Sequence, residues 1–294
     1  MVQMGAVNAF ARTIVTITKN PKLLLIPLII SIILSPISAY LVKEMPAFES
    51  LSELPESSNE SIIFEEHGAF SEEMLTELAD FFKFLLVFML ISLLLQALSE
   101  YAMIKGVLMA EEGERYSLID LIHEGIMHVF QVFLITIIIG IISSAILLVP
   151  LFLFSALIFL SGSVALILLL ILVEMPLALF VIGASSMAVP IYVLSNSISA
   201  SLGCFSLAFK NKLSSMTFGV LLVLSIFFLL AVPASFVGLL FLGRTDFVAN
   251  LAANLLQAPF QAIIQALVAI GGLMLYLEFS KRRYEEETIE EFKF

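Results

Sequence analysis

Long apolar runs alternate with short polar stretches along the chain. Six of the runs are long enough to cross a bilayer as a helix, which takes about 20 residues. Each is predicted to be helical, because a backbone inside lipid must satisfy its own hydrogen bonds. The predicted spans are Leu23–Leu41, Phe81–Leu98, Val129–Leu153, Val164–Val189, Phe218–Leu242 and Gln257–Leu277.

The third and fourth spans come from one apolar run that is too long for a single crossing. Its break is predicted at Ser161-Gly162-Ser163, because small flexible residues interrupt helices. Pro150 is a second candidate, since a proline kinks or ends a helix. The pattern as a whole predicts an all-α polytopic membrane protein with one membrane domain, residues 1–294.

Three stretches that precede the first, third and fifth spans resemble one another. Each mixes apolar and polar residues at helical spacing, as expected of an amphipathic helix in the membrane interface. Two interpretations stay open: three repeated units of interfacial helix and hairpin, or a shared property of helices that enter a membrane. The first and third stretches share a Lys-Asn turn, Lys19-Asn20 and Lys210-Asn211. The stretches are NAFARTIVTITKNPKLLLIPL, SLIDLIHEGIMHVFQVFLI and SISASLGCFSLAFKNKLSSM.

The composition excludes a soluble protein. Hydrophobic residues make up 61% of the chain and charged residues 13%, whereas soluble proteins carry roughly a quarter charged residues. The net charge of −11 arises from acids outside the spans, so it does not indicate a nucleic-acid partner. The single cysteine, Cys204, excludes an internal disulfide and is predicted to be a small buried residue.

Lysine and arginine fall mainly on one side of the predicted spans. In multi-pass proteins that side is the cytoplasm, so both termini are predicted to be cytoplasmic and the protein to lie in the cell membrane. Lys43, Lys83 and Arg244 fall on the other side. The cytoplasmic side would receive Arg12, Lys19, Lys22, Lys105, Arg115, Lys210, Lys212, Lys281, Arg282, Arg283 and Lys293.

Three polar segments follow from that orientation. Residues 1–22 are predicted to form the first cytoplasmic interfacial helix, residues 43–80 an acidic extracytoplasmic loop, and residues 280–294 a cytoplasmic tail. The loop contains the sequon Asn59-Glu60-Ser61, which makes Asn59 a candidate glycosylation site.

Four passages carry a resemblance to known membrane proteins. They are KNPKLLLIPLI (Lys19–Ile29), GVLMAEEGERYSLIDLIHEGIMHVF (Gly106–Phe130), SNSISASLGCFSLAFKN (Ser195–Asn211) and APFQAIIQALVAIGGLMLYLEFSKRR (Ala258–Arg283). The chain resembles six-span proteins related to the membrane domain of glycerophosphoryl diester phosphodiesterases. The resemblance implies an all-helical membrane fold and no particular chemistry. The phosphodiesterase catalytic domain would follow the last span, where this chain has only a short tail, so no phosphodiesterase activity is carried over.

One carboxylate lies in the middle of the fourth span, in the run ILLLILVEMPLALFVIGA (Ile167–Ala184). Glu174 lies about 10 residues into the span, or roughly 15 Å, close to the bilayer midplane. A charged acid at that depth costs at least about 2.5 kcal/mol. Glu174 is therefore expected to be protonated, paired or in contact with water.

The last span carries a row of amides that is a candidate partner. Because their steps of three and four place them on one helix face, the row is expected to face the bundle interior, and Glu174 to point toward it. An adjacent row of Ala258, Ala262 and Ala266 would let another helix approach closely. The predicted polar site comprises Glu174, Gln257, Gln261 and Gln265, and the full amide row is Asn250, Asn254, Gln257, Gln261 and Gln265.

Motifs for catalysis and for cofactor binding are absent from the sequence. The chain has no glycine-rich phosphate loop, no HExxH, no paired CxxC and no GxSxG, and no cofactor or metal is predicted. Glu124 and His128 lie one helical turn apart and could share a metal, but a surface salt pair is the simpler interpretation.

Two functions stay open. The first is a non-enzymatic structural, assembly or lipid-organising role, in contact with membrane lipids and with a membrane-protein partner or a second copy of the chain. The second is a transporter of a small solute, an ion or a lipid that uses Glu174 and the stripe of Gln257, Gln261 and Gln265. A membrane enzyme is disfavoured, because no pair of acid–base groups converges in one span.

Overall fold

The computed structural model describes residues 4–44, 72–242, 244 and 246–291. Almost all of these residues are helical, and none of them lies in a strand. A 3₁₀ turn at Pro21–Leu24 precedes the second helix. The α-helices are α1 (Met4–Lys19), α2 (Leu25–Glu44), α3 (Glu72–Glu111), α4 (Leu118–Ser161), α5 (Val164–Ser185), α6 (Ala188–Ser195), α7 (Ile198–Leu202), α8 (Cys204–Lys210), α9 (Lys212–Leu240) and α10 (Phe247–Glu291).

The predicted all-α polytopic fold is confirmed. Six helical segments within the described ranges are long and apolar enough to span a membrane: α2, α3, α4, α5 with α6, α9 and α10. The predicted break between the third and fourth spans is also confirmed. Helix α4 ends at Ser161, Gly162 takes a left-handed conformation with φ of 61°, and α5 begins at Val164. Pro150 lies inside α4 and does not end it.

The stretches before the spans differ from the expectation of three similar units. Separate helices precede the first and fifth spans, namely α1 and the pair α7 and α8. Before the third span there is no separate helix, because α4 runs unbroken for 44 residues, about 66 Å at 1.5 Å per residue. No proline or polar turn separates the amphipathic stretch from the apolar run here, whereas Asn20-Pro21 and Asn211 interrupt the other two.

The two Lys-Asn turns share one side-chain hydrogen bond. The Asn20 side-chain amide donates to the carbonyl oxygen of Thr16 over 3.1 Å, and that of Asn211 donates to Leu207 over 3.2 Å. Each asparagine side chain thus bonds to a carbonyl in the last turn of the preceding helix. The relationship between the first and third units stays a prediction.

The predicted polar segments are described only in part. Residues 45–71, with Asn59 and most of the predicted acidic loop, lie outside the described residues. Helix α3 begins at Glu72, so the end of that predicted loop is helical. At the other terminus α10 continues to Glu291, so most of the predicted tail is an extension of that helix.

Five helices form a closed ring. In ring order they are α3, α4, α5, α9 and α10, and α10 packs back against α3. Helix α2 lies outside the ring against α10 and α3, and α1 packs across α10 and α9. An ion pair of 3.7 Å between Arg12 and Glu111 holds α1 near the end of α3.

The two ends of the bundle differ in charge. We call the end with α1, the α3–α4 turn and α7–α8 the basic end, and the end with the α4–α5 and α9–α10 turns the far end. Among the side chains that the structure describes, Lys83 and Arg244 are the far-end cations. Those of the basic end are Arg12, Lys19, Lys22, Lys105, Arg115, Lys210, Lys212 and Lys281.

Helices α5 and α9 approach each other through paired glycines. A Cβ on Gly183 would collide with the carbonyl oxygen of Ser215, and a Cβ on Gly219 with the carbonyl oxygen of Leu179. The two backbones therefore touch at two points, one on each helix. Small residues allow such contact, which stabilises helix pairs in lipid through van der Waals packing.

Helices α2 and α10 meet through rows of small residues. Ala258, Ala262 and Ala266 are all buried, as predicted for the side of α10 where another helix packs. The Asn254 side-chain amide, on the same side of α10, donates to the carbonyl oxygen of Ser35 over 3.3 Å. On α2, the buried small residues at four-residue steps are Ser31, Ser35 and Ala39.

The fourth span is broken close to the basic end. Ser186 and Met187 form a turn between α5 and α6. Pro190 has no N–H to donate to the Ser186 carbonyl, which removes a helical hydrogen bond at this point. Gly272 provides the space for the turn, because a Cβ there would collide with the Ser186 carbonyl oxygen. Helix α6 is therefore buried across the basic end of the ring, in contact with α3, α4 and α10.

We expect Gly219→Ala to lower stability, because the added methyl group meets the Leu179 backbone, which cannot move aside cheaply. Overpacking of this kind costs about 1–3 kcal/mol. Gly238→Ala on the same helix is the control, because a Cβ there has no neighbour within 4 Å and alanine favours a helix by about 0.5–1 kcal/mol. Thermal unfolding in detergent checks this. Equal stability of the two variants would contradict the close contact.

Candidate functional site

A partly open cavity of about 410 Å³ lies between the helices of the ring. Side chains from all five ring helices and from α6 line it. Most of the lining is aliphatic. The lining residues are Gln96, Glu100, Ile135, Thr136, Ile139, Gly140, Ser143, Val181, Ile182, Ser185, Ser186, Ala188, Val189, Leu222, Ile226 and Val268.

Glu100 is the one titratable side chain of that lining. No hydrogen bond or ion pair joins it to another side chain in the described part of the chain, and the residue is half-buried. A carboxylate removed from bulk water without a partner is unfavourable. This position therefore favours a partner that the protein itself does not supply.

The hydroxyl groups around Glu100 are already used as donors. Thr136 donates to the Val132 carbonyl over 2.9 Å, Ser185 to Ile182 over 3.2 Å, and Ser186 to Gly183 over 3.0 Å. A hydroxyl has one proton and two acceptor lone pairs. These three side chains can therefore offer only acceptors to the cavity.

An aromatic cluster fixes α6 beneath the cavity at the basic end. The rings of Tyr101 and His128 stack with centroids 4.5 Å apart, and Tyr192 of α6 lies 6.2 Å from His128 and 6.4 Å from Tyr101. Tyr101 and Tyr192 are both buried. Because these rings belong to α3, α4 and α6, they hold the floor of the cavity against the ring wall.

The cavity opens toward the far end. Gln96 and Gly140 are the exposed lining residues, whereas the floor residues Ala188 and Val189 are buried. Gln96 lies one turn toward the far end from Glu100, and Gly140 one turn from Thr136. A Cβ on Gly140 would have no neighbour within 4 Å, so this side of the cavity is open space.

The predicted contact between Glu174 and the amide stripe is not formed. Glu174 Oε1 and Gln265 Oε1 are each buried without a hydrogen-bond partner among the described residues. Helix α9 lies between α5 and α10 in the ring, so the helices that carry these groups are not neighbours. Gln257 and Gln261, the other residues of the predicted site, are half-buried on α10 and do not line the cavity.

Both groups nevertheless lie on the faces that continue the cavity wall. Glu174 is seven positions before Val181 on α5, and Gln265 is three positions before Val268 on α10. Such spacings keep residues on one side of a helix. Glu174 and Gln265 therefore lie above the cavity, toward the far end.

Two serines extend this pattern. The Oγ atoms of Ser92 and Ser143 are also buried and lack partners within the described ranges. Ser92 is four positions before Gln96 on α3, and Ser143 lines the cavity seven positions after Thr136 on α4. We call Ser92, Gln96, Ser143, Glu174 and Gln265 the polar column. By helix position, its members lie at the mouth of the cavity or on its far-end side.

The predicted salt pair between Glu124 and His128 is not formed, so this prediction is wrong. Glu124 Oε2 lies 3.9 Å from Lys105 Nζ, and His128 stacks on Tyr101 with its Nδ1 3.0 Å from the Glu124 carbonyl oxygen. Lys105 is on the adjacent helix α3. Residue spacing along α4 alone does not indicate a contact with another helix. In residues 4–44, 72–242, 244 and 246–291, no group of three or more His, Cys, Asp or Glu side chains could hold a metal ion.

The sequence interpretation missed Glu100 and Gln96. The second span was predicted to end at Leu98, whereas α3 continues to Glu111, so Glu100 lies two residues beyond the predicted span. Ser92, Gln96 and Glu100 repeat at four-residue steps inside an apolar stretch. That periodicity was the available signal for a polar interior face.

Comparison with known proteins returned no match: no family model, curated protein or solved structure matches the chain.

Cys204 is fully buried, as predicted, and burial raises the pKa of its thiol to about 12. The thiolate is the reactive form, so we expect slow alkylation at pH 8 and faster reaction as the pH rises toward that value. In a Ser206→Cys variant the new thiol, exposed on the same helix, should react at least roughly a hundredfold faster. Rapid modification of folded wild-type protein would contradict the burial of Cys204.

Proposed function

We propose that the protein is a carrier that binds a small solute in the central cavity. The observation that carries this proposal is Glu100, an unpaired carboxyl group in the wall of a cavity inside the helix ring. Ionisable groups inside membrane helices face a cavity or a partner and mark solute and ion pathways. Concave, mostly apolar cavities with a few polar groups are typical binding sites.

The polar column favours transport over a purely structural role. A structural bundle would pair its buried polar groups, because an unsatisfied one costs about 1–3 kcal/mol. Seven buried side-chain atoms lack a partner among the described residues: four belong to the polar column, at Ser92, Ser143, Glu174 and Gln265, and three lie outside it, at Ser31, Ser99 and Gln131. Water or a passing solute would satisfy these atoms, so the column is a route between the cavity and the far end.

The second half of the transport cycle needs an exit at the basic end, where α6 closes the cavity. Helix α6 is short and is separated from α5 by the Ser186-Met187 turn. We infer that α6 is the element that would move, since carriers expose a fixed site alternately to the two sides. This function does not require catalysis, and the cavity offers one titratable side chain where acid–base catalysis commonly uses a pair.

The proposed setting is the cell membrane, with both termini in the cytoplasm. The charge difference between the basic end and the far end supports this orientation through the positive-inside rule. The relation to the membrane domain of glycerophosphoryl diester phosphodiesterases stays a prediction, and the carrier proposal does not depend on it.

Thiol accessibility tests the carrier proposal. We expect Ser143→Cys and Gln265→Cys to react with a water-soluble, membrane-impermeant methanethiosulfonate applied to the far side. Ile141→Cys is the control, because Ile141 is 64% exposed on the outer surface of α4. A thiol in lipid stays protonated and unreactive, so it should react at least roughly tenfold more slowly. The buried Cys204 of the wild type supplies the baseline.

Equal, slow modification of all three variants would mean that the ring interior is sealed. That outcome would reject the carrier and favour a structural, assembly or lipid-organising role.

Orientation has its own test. In intact cells, an impermeant maleimide should label Glu60→Cys in the predicted outer loop and leave Arg115→Cys unlabelled until the cells are opened. The reverse pattern would invert the topology and place the mouth of the cavity on the cytoplasmic side.

A further inference from the structure

Three hydroxyl groups of the cavity present acceptors and not donors. The hydroxyls of Thr136, Ser185 and Ser186 donate to their own helices, so their lone pairs remain for a ligand. Glu100 adds a carboxyl group, which when ionised accepts hydrogen bonds and donates none, while the Ser143 hydroxyl and the Gln96 amide of the lining can donate. A ligand group held between ionised Glu100 and the three paired hydroxyls must bring the donors.

The charge of the lining leads to the same conclusion. Its residues include one acid and no lysine, arginine or histidine. An anionic ligand would meet an unfavourable carboxylate and find no cation. A cationic ligand would supply Glu100 with the partner that it lacks, and charge-assisted hydrogen bonds are the stronger kind.

The remainder of the lining determines the body of the ligand. Ile135, Ile139, Val181, Leu222 and Ile226, from three ring helices, surround the space with hydrocarbon. The volume of about 410 Å³ is within the roughly 300–1,000 Å³ of small-molecule sites. An apolar chain or ring would fill this part, and a fully hydrated ion would leave it wet.

We propose that the ligand is a small amphipathic primary amine, with its ammonium group on Glu100 and its apolar body among the aliphatic side chains. An ammonium group has three donors and no acceptor, which matches the inner lining. This inference rests on the proposed function and names the ligand class of the same cavity. The headgroup of an ethanolamine lipid carries the same ammonium group, so the two sources have to be separated by experiment.

The probes are octylammonium, octanoate and octanol, three molecules of equal chain length and different charge. Thermal unfolding of the purified full chain in mild detergent is followed as each probe is titrated. We expect octylammonium to stabilise the wild type more than the other two. In Glu100→Gln its apparent affinity should fall by about tenfold or more, because the ionic hydrogen bond is lost.

Glu112→Gln is the matched control, since Glu112 is an exposed acid in the turn directly after the same helix; it should bind octylammonium like the wild type. Equal affinity of octylammonium for wild type and Glu100→Gln would overturn the proposal. So would stronger stabilisation by octanoate. Dihexanoyl phosphatidylethanolamine and the corresponding phosphatidylcholine separate the two sources of the ammonium group. If the ethanolamine lipid stabilises the wild type but not Glu100→Gln, and the choline lipid stabilises neither, the amine proposal is supported and the ligand is assigned to a lipid.

A second variant does not alter the carboxyl group. Gly140→Leu places a side chain in the open mouth of the cavity, where a Cβ has no neighbour within 4 Å. We expect this variant to fold and to bind octylammonium at least about tenfold more weakly than the wild type does, because the longer chain needs the filled space. Its affinity for ethylammonium, a much shorter amine, should fall less. Unchanged binding of both amines would place the ligand outside the cavity and overturn the proposal.

The failures of the two proposals are distinguishable. If Ser143→Cys and Gln265→Cys are inaccessible to the impermeant reagent, the carrier proposal fails. If both thiols react and octylammonium shows no dependence on Glu100, the cavity is a site for another ligand and only the amine inference fails.

Discussion

Polar atoms inside a bilayer cannot be satisfied by lipid, and this constraint determines how the bundle is built. Each must find a partner in the protein or in enclosed water. Some polar groups have partners in the protein: the hydroxyls of Thr136, Ser185 and Ser186 bond to helix carbonyls, and Asn20 and Asn211 bond to the ends of the preceding helices. Among the described residues, buried atoms without a partner occur at Ser31, Ser92, Ser99, Gln131, Ser143, Glu174 and Gln265. The four that belong to the polar column, together with unpaired Glu100, are the physical basis of the carrier proposal.

The packing of the helices makes that contrast possible. Glycines 183 and 219 bring the backbones of α5 and α9 together, and the small-residue rows of α2 and α10 do the same outside the ring. These close contacts hold the helices together, while the centre of the ring stays open. Gly272 then admits the turn at Ser186, which directs α6 across the basic end. One end of the central space is thereby closed, and the other leads to the polar column.

The fold was largely predictable because lipid imposes simple rules on sequence. Six apolar runs predicted six spans, and the Ser161-Gly162-Ser163 sequence predicted the break at which Gly162 takes a left-handed conformation. The unbroken course of α4 was not predicted, since amphipathic character alone does not indicate where a helix is interrupted. The presence of Pro21 and Asn211 at the other two sites, and of no such residue before the third span, was the better guide.

The predicted site was only partly a guide to the structure. Periodicity singled out Glu174, whose spacing from Val181 places it on the cavity side of α5, but Asn254 of the amide row bonds to Ser35 of α2, outside the ring. The order of helices around a ring cannot be read from periodicity, so the position of α9 between α5 and α10 was not foreseen. Glu100 was missed because the predicted span ended two residues before it. Its environment depends on the inward turn of α6, a long-range packing event.

The most direct test of this account is an experimental density map at a resolution that shows ordered water. The account predicts water, or a bound molecule, in contact with Ser143 Oγ, Gln265 Oε1 and Glu174 Oε1, continuous with density in the cavity beside Glu100. A dry interior in which these atoms bond to neighbouring side chains would contradict it and leave a sealed helical bundle.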